Sequence, residues 1–222
     1  MDKILEPVVL LFKNILIFFN TYLDNWGLSI IILTLLIKIV LFPTTLKQFR
    51  AMDKMKKIQP KLKEIQDKFK DKPEELQRRT MELYKKEEVN PFGSCLPTLL
   101  QIPILFAMYY LLSEPKFMSS LIQDSRFLWF SLSGKNDLIL AALSGLTTFY
   151  QQKLTTPASG GDANQQMQMM LYIMPAFLAF ITYTVSAGVG LYWVASNIIG
   201  IAQQYLINEY FIVKEQHQEK KG

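Results

Sequence analysis

Lys38 stands alone in an apolar run, GLSIIILTLLIKIVLFPTTL at 27–46, and a cation placed there demands a chemical account. It lies 11 residues past Gly27, roughly 16 Å along a helix at 1.5 Å per residue. That depth is near the middle of a bilayer crossing. A charge there costs about 2.5–3.5 kcal/mol on insertion scales, and more if it faces lipid directly. Asp137 and Glu209 sit at the ends of apolar stretches rather than within them, so no buried ion pair is evident. Water is then the partner that keeps the ammonium. The simpler alternative is snorkelling to the inner head groups.

Catalysis has little to work with. His217, the sole histidine, is set among Lys, Glu and Gln near the C-terminus and reads as a solvated tail residue. Cys95 is the only cysteine, so neither an intrachain disulfide nor a thiolate metal cluster is possible. The sequence holds no His/Asp/Glu ligand set for a metal, no Gly-rich phosphate loop and no Gly-x-Ser-x-Gly motif. It implies no cofactor. A Ser–Lys dyad on Lys38 would need its serine from another helix, because Ser29 is off the lysine's face.

Other polar side chains interrupt the apolar stretches. Thr34 precedes Lys38 by four residues and shares its face. Gln101 breaks a second stretch, and Gln152 ends a third on a stripe with Gly145 and Thr148. Trp193, Asn197, Gly200 and Gln204 follow one another at spacings of 4, 3 and 4, giving one semi-polar helical face. Singly, such residues are most often interhelical hydrogen-bonding groups. Together, beside an unpaired lysine, they predict a hydrated groove lined by Lys38, Thr34, Gln101, Gln152, Trp193, Asn197 and Gln204.

The elements that must position them are helices in a membrane. Half of the 222 residues are hydrophobic, only 19% are charged, and residues 163–208 carry no charge at all. Those 46 residues suit two crossings of about 20 residues each. This excludes an ordinary cytosolic enzyme, a disordered chain and a small disulfide-stapled domain. The expected order is an interfacial helix over 1–25, a first span over 26–48, a charged helical hairpin over 49–92, and four spans at 95–113, 137–153, 167–186 and 188–208. A tail over 214–222 follows. Within 4–22, Glu6, Lys13 and Asn20 recur every seven residues and form a polar stripe, which fits a helix lying in the membrane plane. A sixth span there is the alternative, and charge alone does not exclude it.

In the hairpin, Met52, Met55, Ile58, Leu62, Ile65 and Phe69 follow 3-4 spacing, and Asp71-Lys72-Pro73 marks the tip. Its arms should be mobile relative to the spans, with only one modest apolar seam. Residues 43–92 hold 14 of the 24 Lys+Arg. With five spans, the segments on the hairpin's side carry 18 Lys+Arg against five opposite, Lys3, Lys13, Lys116, Arg126 and Lys135. Positive-inside therefore places hairpin and C-terminus in the cytoplasm and the N-terminus outside. The +5 formal charge points to anionic lipid head groups or nucleic acid as partner, with no specific nucleic-acid site in view.

Leu41-Phe42-Pro43, Gln48, the Met52–Met55 pair and Ile58-Gln59-Pro60-Lys61 resemble the start of the cytoplasmic hairpin of the YidC/Oxa/Alb membrane-insertase family. The run from Tyr84 through Asn90-Pro91-Phe92-Gly93-Ser94-Cys95-Leu96-Pro97 into Gln101-Ile102-Pro103 is similar to that family's second core span. Gly190-Leu191-Tyr192-Trp193-Val194-Ala195-Ser196-Asn197 with Gln203-Gln204 resembles its last. The likeness runs in order from about residue 4 to 210. It implies an all-α membrane protein in which five transmembrane helices surround a hydrophilic groove open to cytoplasm and lipid. Lys38 aligns with the family's basic groove residue, often arginine, and Thr34, Gln152 and Trp193 fall on other groove-lining positions. The implied function is insertion and folding of nascent membrane proteins, alone or with the Sec translocon, receiving chains from ribosomes in the bacterial cell membrane. The chain shows no first anchoring span, large periplasmic domain or N-terminal lipidated cysteine, which implies a short form or a removed upstream region. A small channel or transporter is the rival reading, and it lacks the internal repeat such folds usually carry. A membrane protease lacks its nucleophile.

Overall fold

Asp24 and Pro43 set the course of the first part of the chain. The computed structural model describes residues 2–90, 96–114, 122, 125–155 and 162–219. Helix α1 (Asp2–Leu23) ends at Asp24, whose φ of 47° turns the path. Asn25 then caps α2 (Trp26–Val40), its side-chain oxygen accepting from the Leu28 N–H at 3.0 Å. Proline has no N–H to continue an intrahelical bond. Pro43, at the start of the next helix, therefore forces a break at Leu41, and α3 (Phe42–Phe69) leaves at 60° to α2. The break comes before the expected 48–49 boundary, so residues 42–48 belong to the hairpin's first arm.

The second arm, α4 (Pro73–Lys86), starts with Pro73 and packs back on α3. Phe49, Met52, Ile58, Leu62 and Leu83 are buried, so part of the expected 3-4 seam is used. Lys61 bonds Glu87 at 2.7 Å, and the Arg79 guanidinium lies over the Phe69 ring at 5.8 Å. The remaining helices are α5 (Leu96–Ser113), α6 (Leu138–Thr155), α7 (Asp162–Thr184) and α8 (Ala187–Glu219). Helix α8 continues through 208 as one element to Glu219, beyond the expected end of the last span. The expected turn at 90–93 lies, past Asn90, outside the described residues, as do 156–161 of the expected loop and 220–222 of the tail.

Helix α6 packs against both α7 and α8, α8 also rests on α2, α2 on α1, and α1 on α5. Small residues allow the close approaches. A Cβ on Gly190 would lie 2.8 Å from both Leu140 and Thr182, and one on Gly145 3.1 Å from the Ala179 Cβ. One apolar core joins Val9, Phe12 and Leu16 of α1 to Ile30, Leu33 and Ile37 of α2 and to Met108, Leu111 and Leu112 of α5. Helix α1 thus buries a 3-4 stripe against its neighbours while Leu11, Phe18 and Tyr22 stay exposed.

By length and hydropathy, Leu5–Leu23 is the one helix among the described residues that could cross a membrane unaided, and α2 with α3 qualifies as a bent pair. Gln101–Ser113 and Leu171–Thr184 are shorter apolar stretches. The sixth-span alternative for α1 therefore stays open.

The end opposite the hairpin is closed by a small cap. Strands β1 (Arg126–Phe127) and β2 (Phe130–Ser131) pair antiparallel. The Phe127 ring lies so tightly on Gly27 that no Cβ fits there. Backbone bonds from Ala187 N to Gly134 O (2.7 Å) and from Gly188 N to Leu132 O (2.8 Å) tie this loop to the turn before α8. Asp137 anchors its far side, accepting from the Trp129 indole at 3.1 Å and from the Leu140 N–H at 2.7 Å.

Candidate functional site

Three helices bring polar side chains together at the hairpin end of the bundle. Lys38 occupies the last turn of α2. Packing of α8 on α2 and α6 places Gly200 beside it, and the absent side chain is what makes room. A Cβ on Gly200 would lie 2.5 Å from Gln151 Nε2 and 3.6 Å from Lys38 Nζ. Gln203, one turn on, donates from Nε2 to the Lys38 backbone oxygen at 3.1 Å. Among the described residues no acidic side chain pairs with Lys38; the ion pairs lie in the hairpin.

Behind Lys38 the α6–α8 contact is polar as well. The Trp193 indole donates to Thr148 Oγ1 at 2.9 Å. Asn197 is buried beside it, and its amide can face only one way. With its oxygen toward α6, it accepts from Thr148 Oγ1 at 2.8 Å and from Trp193 Nε1 at 3.2 Å, while its nitrogen donates to Gln151 Oε1 at 2.7 Å. The reverse orientation would set its NH2 against the indole N–H and the Thr148 backbone N–H, and oxygen against oxygen at Gln151. Fixed donors settle the matter.

The residues singled out from sequence divide into two groups. Lys38, Trp193 and Asn197 belong to the cluster. Thr34 does not open onto it: the side chain is fully buried and its hydroxyl donates to Ile30 O at 2.6 Å within its own helix. Sharing a face with Lys38 turns Thr34 into the α2 packing surface rather than toward water. Gln101 instead donates to the hydroxyl of the buried Tyr192 and so links α5 to α8. Gln152 is displaced in the same manner. Its Oε1 is buried without a partner among the described residues, and it is the adjacent Gln151 that lies against Gly200, on the side where Lys38 Nζ also stands. Gln204 is half-buried, and its neighbour Gln203 makes the bond to α2.

Gln151, Gln203 and Tyr192 were not among the residues expected to line the groove. A one-residue shift turns a helical side chain by about 100°, and adjacent glutamines at 151–152 and 203–204 left the phase undecided. Among the described residues no group of three or more His, Cys, Asp or Glu could hold a metal ion. What the cluster offers is a cation and amide donors at a helix junction, suited to holding acceptor oxygens.

Residues 18–215 match the model of the 60Kd inner membrane protein family. A membrane protein insertase YidC of Fusobacterium nucleatum is 44% identical over 189 residues, covering 85% of this chain and 88% of its own length. One of Oceanobacillus iheyensis is 41% identical over 94% of this chain and 83% of its own. The membrane protein insertase MisCA of Bacillus subtilis is 38% identical over 90% and 76% respectively. The crystal structure of an active YidC insertase with its first transmembrane domain resolved superposes with a TM-score of 0.68 at 25% identity. That superposition covers 92% of this chain and 46% of the crystallised one.

Proposed function

The chain belongs to the 60Kd inner membrane protein family, the YidC/Oxa/Alb insertases that its motifs resemble, and from that premise we propose that it inserts nascent membrane proteins through the Lys38 cluster. One observation carries the mechanism: a lysine with no carboxylate partner among the described residues stands beside Gly200 with the Gln151 amide, at the hairpin end of an otherwise apolar bundle, while Gln203 holds its backbone oxygen and Asn197 holds Gln151. Each polar group that leaves water for hydrocarbon unsatisfied costs several kcal/mol. Donors placed part-way across shorten that path for a client's polar tail. The client's hydrophobic segment meanwhile partitions into lipid beside the apolar outer faces of α5, α7 and α8. The chemistry is solvation rather than bond making.

In this reading α2, α5, α6, α7 and α8 are the five spans, and α1 lies in or across the outer interface. The α3–α4 hairpin and the C-terminus are cytoplasmic, and the setting is a bacterial cell membrane. The basic hairpin is the element for ribosomes and anionic lipids. Cooperation with the Sec translocon belongs to the same proposal.

Purified protein in liposomes provides the test. An insertase raises the yield of a protease-protected single-span client over empty vesicles and passes no ions without it. Ion flux without client, and no gain in insertion, would replace this reading by a small channel.

A further inference from the structure

The orientation of Asn197 fixes a second group. Because its NH2 donates to Gln151 Oε1 at 2.7 Å, the Gln151 amide has its oxygen committed and its own NH2 turned toward Gly200. Lys38 Nζ lies near the same point, so the two nitrogens are within 3.6 Å of the position that a Gly200 Cβ would take. An ammonium and an amide NH2 are both donors with nothing to accept. Two donors 2.5 and 3.6 Å from one point beside Gly200, with the acceptor side of the amide already used, make a seat for an oxygen anion held between them.

We propose that Gln151 is the second donor of this seat and that it determines specificity for a client carboxylate held between its NH2 and the Lys38 ammonium. Asn197 is the positioning residue that sets the amide's direction, and Trp193 and Thr148 set Asn197. A carboxylate suits the seat because its two oxygens can take one donor each, and charge-assisted bonds of about 2.7–2.9 Å reach both. The inference rests on the insertase reading and adds to it a residue whose neighbour, Gln152, was the sequence's candidate.

The test uses the full chain in proteoliposomes and two single-span clients that differ only in an Asp or an Asn in the translocated tail. The readout is the ratio of acidic-tail to neutral-tail insertion. Gln151→Leu keeps the bulk and removes the donor, so the ratio falls about three- to ten-fold, the range for a charge-assisted bond partly replaced by water. Neutral-tail insertion falls by less than acidic-tail insertion, because an uncharged acceptor gains less than a carboxylate from the same donor. Gln151→Glu sets an anion against Lys38 and lowers the ratio further. An equal loss on both clients would reduce Gln151 to a packing role and overturn the proposal, as would an unchanged ratio. A Gln151→Leu effect that follows the anionic-lipid content of the vesicles rather than the client tail would assign the seat to lipid phosphate, and also overturn it. Failure of the wild type on the neutral-tail client is a different result: it strikes the insertase reading itself.

Discussion

Gly200→Ala separates the stability of the bundle from the use of the Lys38 cluster, and its two effects have opposite signs. Alanine in place of glycine within a helix gains about 0.8–1.0 kcal/mol of propensity. Against that, the new methyl would stand 2.5 Å from Gln151 Nε2. The clash is with the far end of a flexible side chain, so Gln151 moves rather than the backbone. Moving costs it the 2.7 Å bond from Asn197, about 0.5–1.5 kcal/mol for a net hydrogen bond. The sum lies within about 1 kcal/mol of zero, or about 2–4 °C in Tm for a chain of this size. Function has no such compensation. The methyl also comes within 3.6 Å of Lys38 Nζ and so crowds both nitrogens that would hold an anion between them. We expect an almost unchanged Tm in detergent by scanning fluorimetry, together with an acidic-tail client yield reduced about ten-fold, the loss of roughly one charge-assisted bond. Full activity with the added methyl would show that the space beside Gly200 is not used. A fall in Tm beyond about 10 °C would show that Gln151 cannot yield and that the energies above are misjudged.

Lys38→Arg should be largely tolerated, whereas Lys38→Ala and Lys38→Glu impair acidic-tail clients more than neutral ones. At an effective dielectric near 20, a carboxylate about 4 Å from the charge gains on the order of 4 kcal/mol. If about 1–2 kcal/mol survives desolvation, paired-client assays on Lys38→Ala should show a five- to thirty-fold loss, and equal yields would leave Lys38 a snorkelling residue. In the hairpin, the hydrogen bond from Lys61 holds the Glu87 carboxyl below the usual carboxylate range. A depressed acid stabilises above its unfolded pKa and loses that contribution as pH falls through the folded one. The distance between spin labels on α3 and α4 should therefore hold at neutral pH and broaden on acidification, and Glu87→Gln should remove the pH dependence. Amide exchange should be faster in α3 and α4 than in α6 and α8, and equal protection would contradict a mobile hairpin. Ribosome co-sedimentation should fall with salt and on neutralising hairpin charges, more than on removing 209–222, because the tail's three lysines face three glutamates. Loss on tail removal alone would reverse that assignment.

The helical class and the hairpin were legible because they rest on strong local signals, long uncharged runs and the charge density of 43–92, and Lys38 stood out as a lone cation among aliphatics. The rest turned on angles that periodicity does not resolve. Thr34 shares the Lys38 face by spacing, yet the packing of α2 buries it completely. Gln151 and Gln152 are indistinguishable as letters, and only the crossing of α6 with α8 selects Gln151. Pro43 was visible, but the run continued to Leu46 with apolar character, and the break at Leu41 follows from a missing N–H rather than from hydropathy. The Gln101–Tyr192 link joins α5 to α8 across more than ninety residues and left no local trace.

The central claim is that water reaches Lys38 inside an apolar bundle, and cysteine accessibility tests it most directly. In a Cys95→Ser background, Lys38→Cys and Ile39→Cys differ by one residue on α2. Ile39 is more exposed on the protein surface and nearer the helix end, on a face turned away from the bundle. A membrane-impermeant methanethiosulfonate needs a hydrated thiolate. Added from the hairpin side, it should modify the Lys38→Cys variant rapidly and leave the Ile39→Cys variant protected. Protection of both variants, or faster reaction of Ile39→Cys, would mean that no water enters beside Lys38 and would contradict the groove.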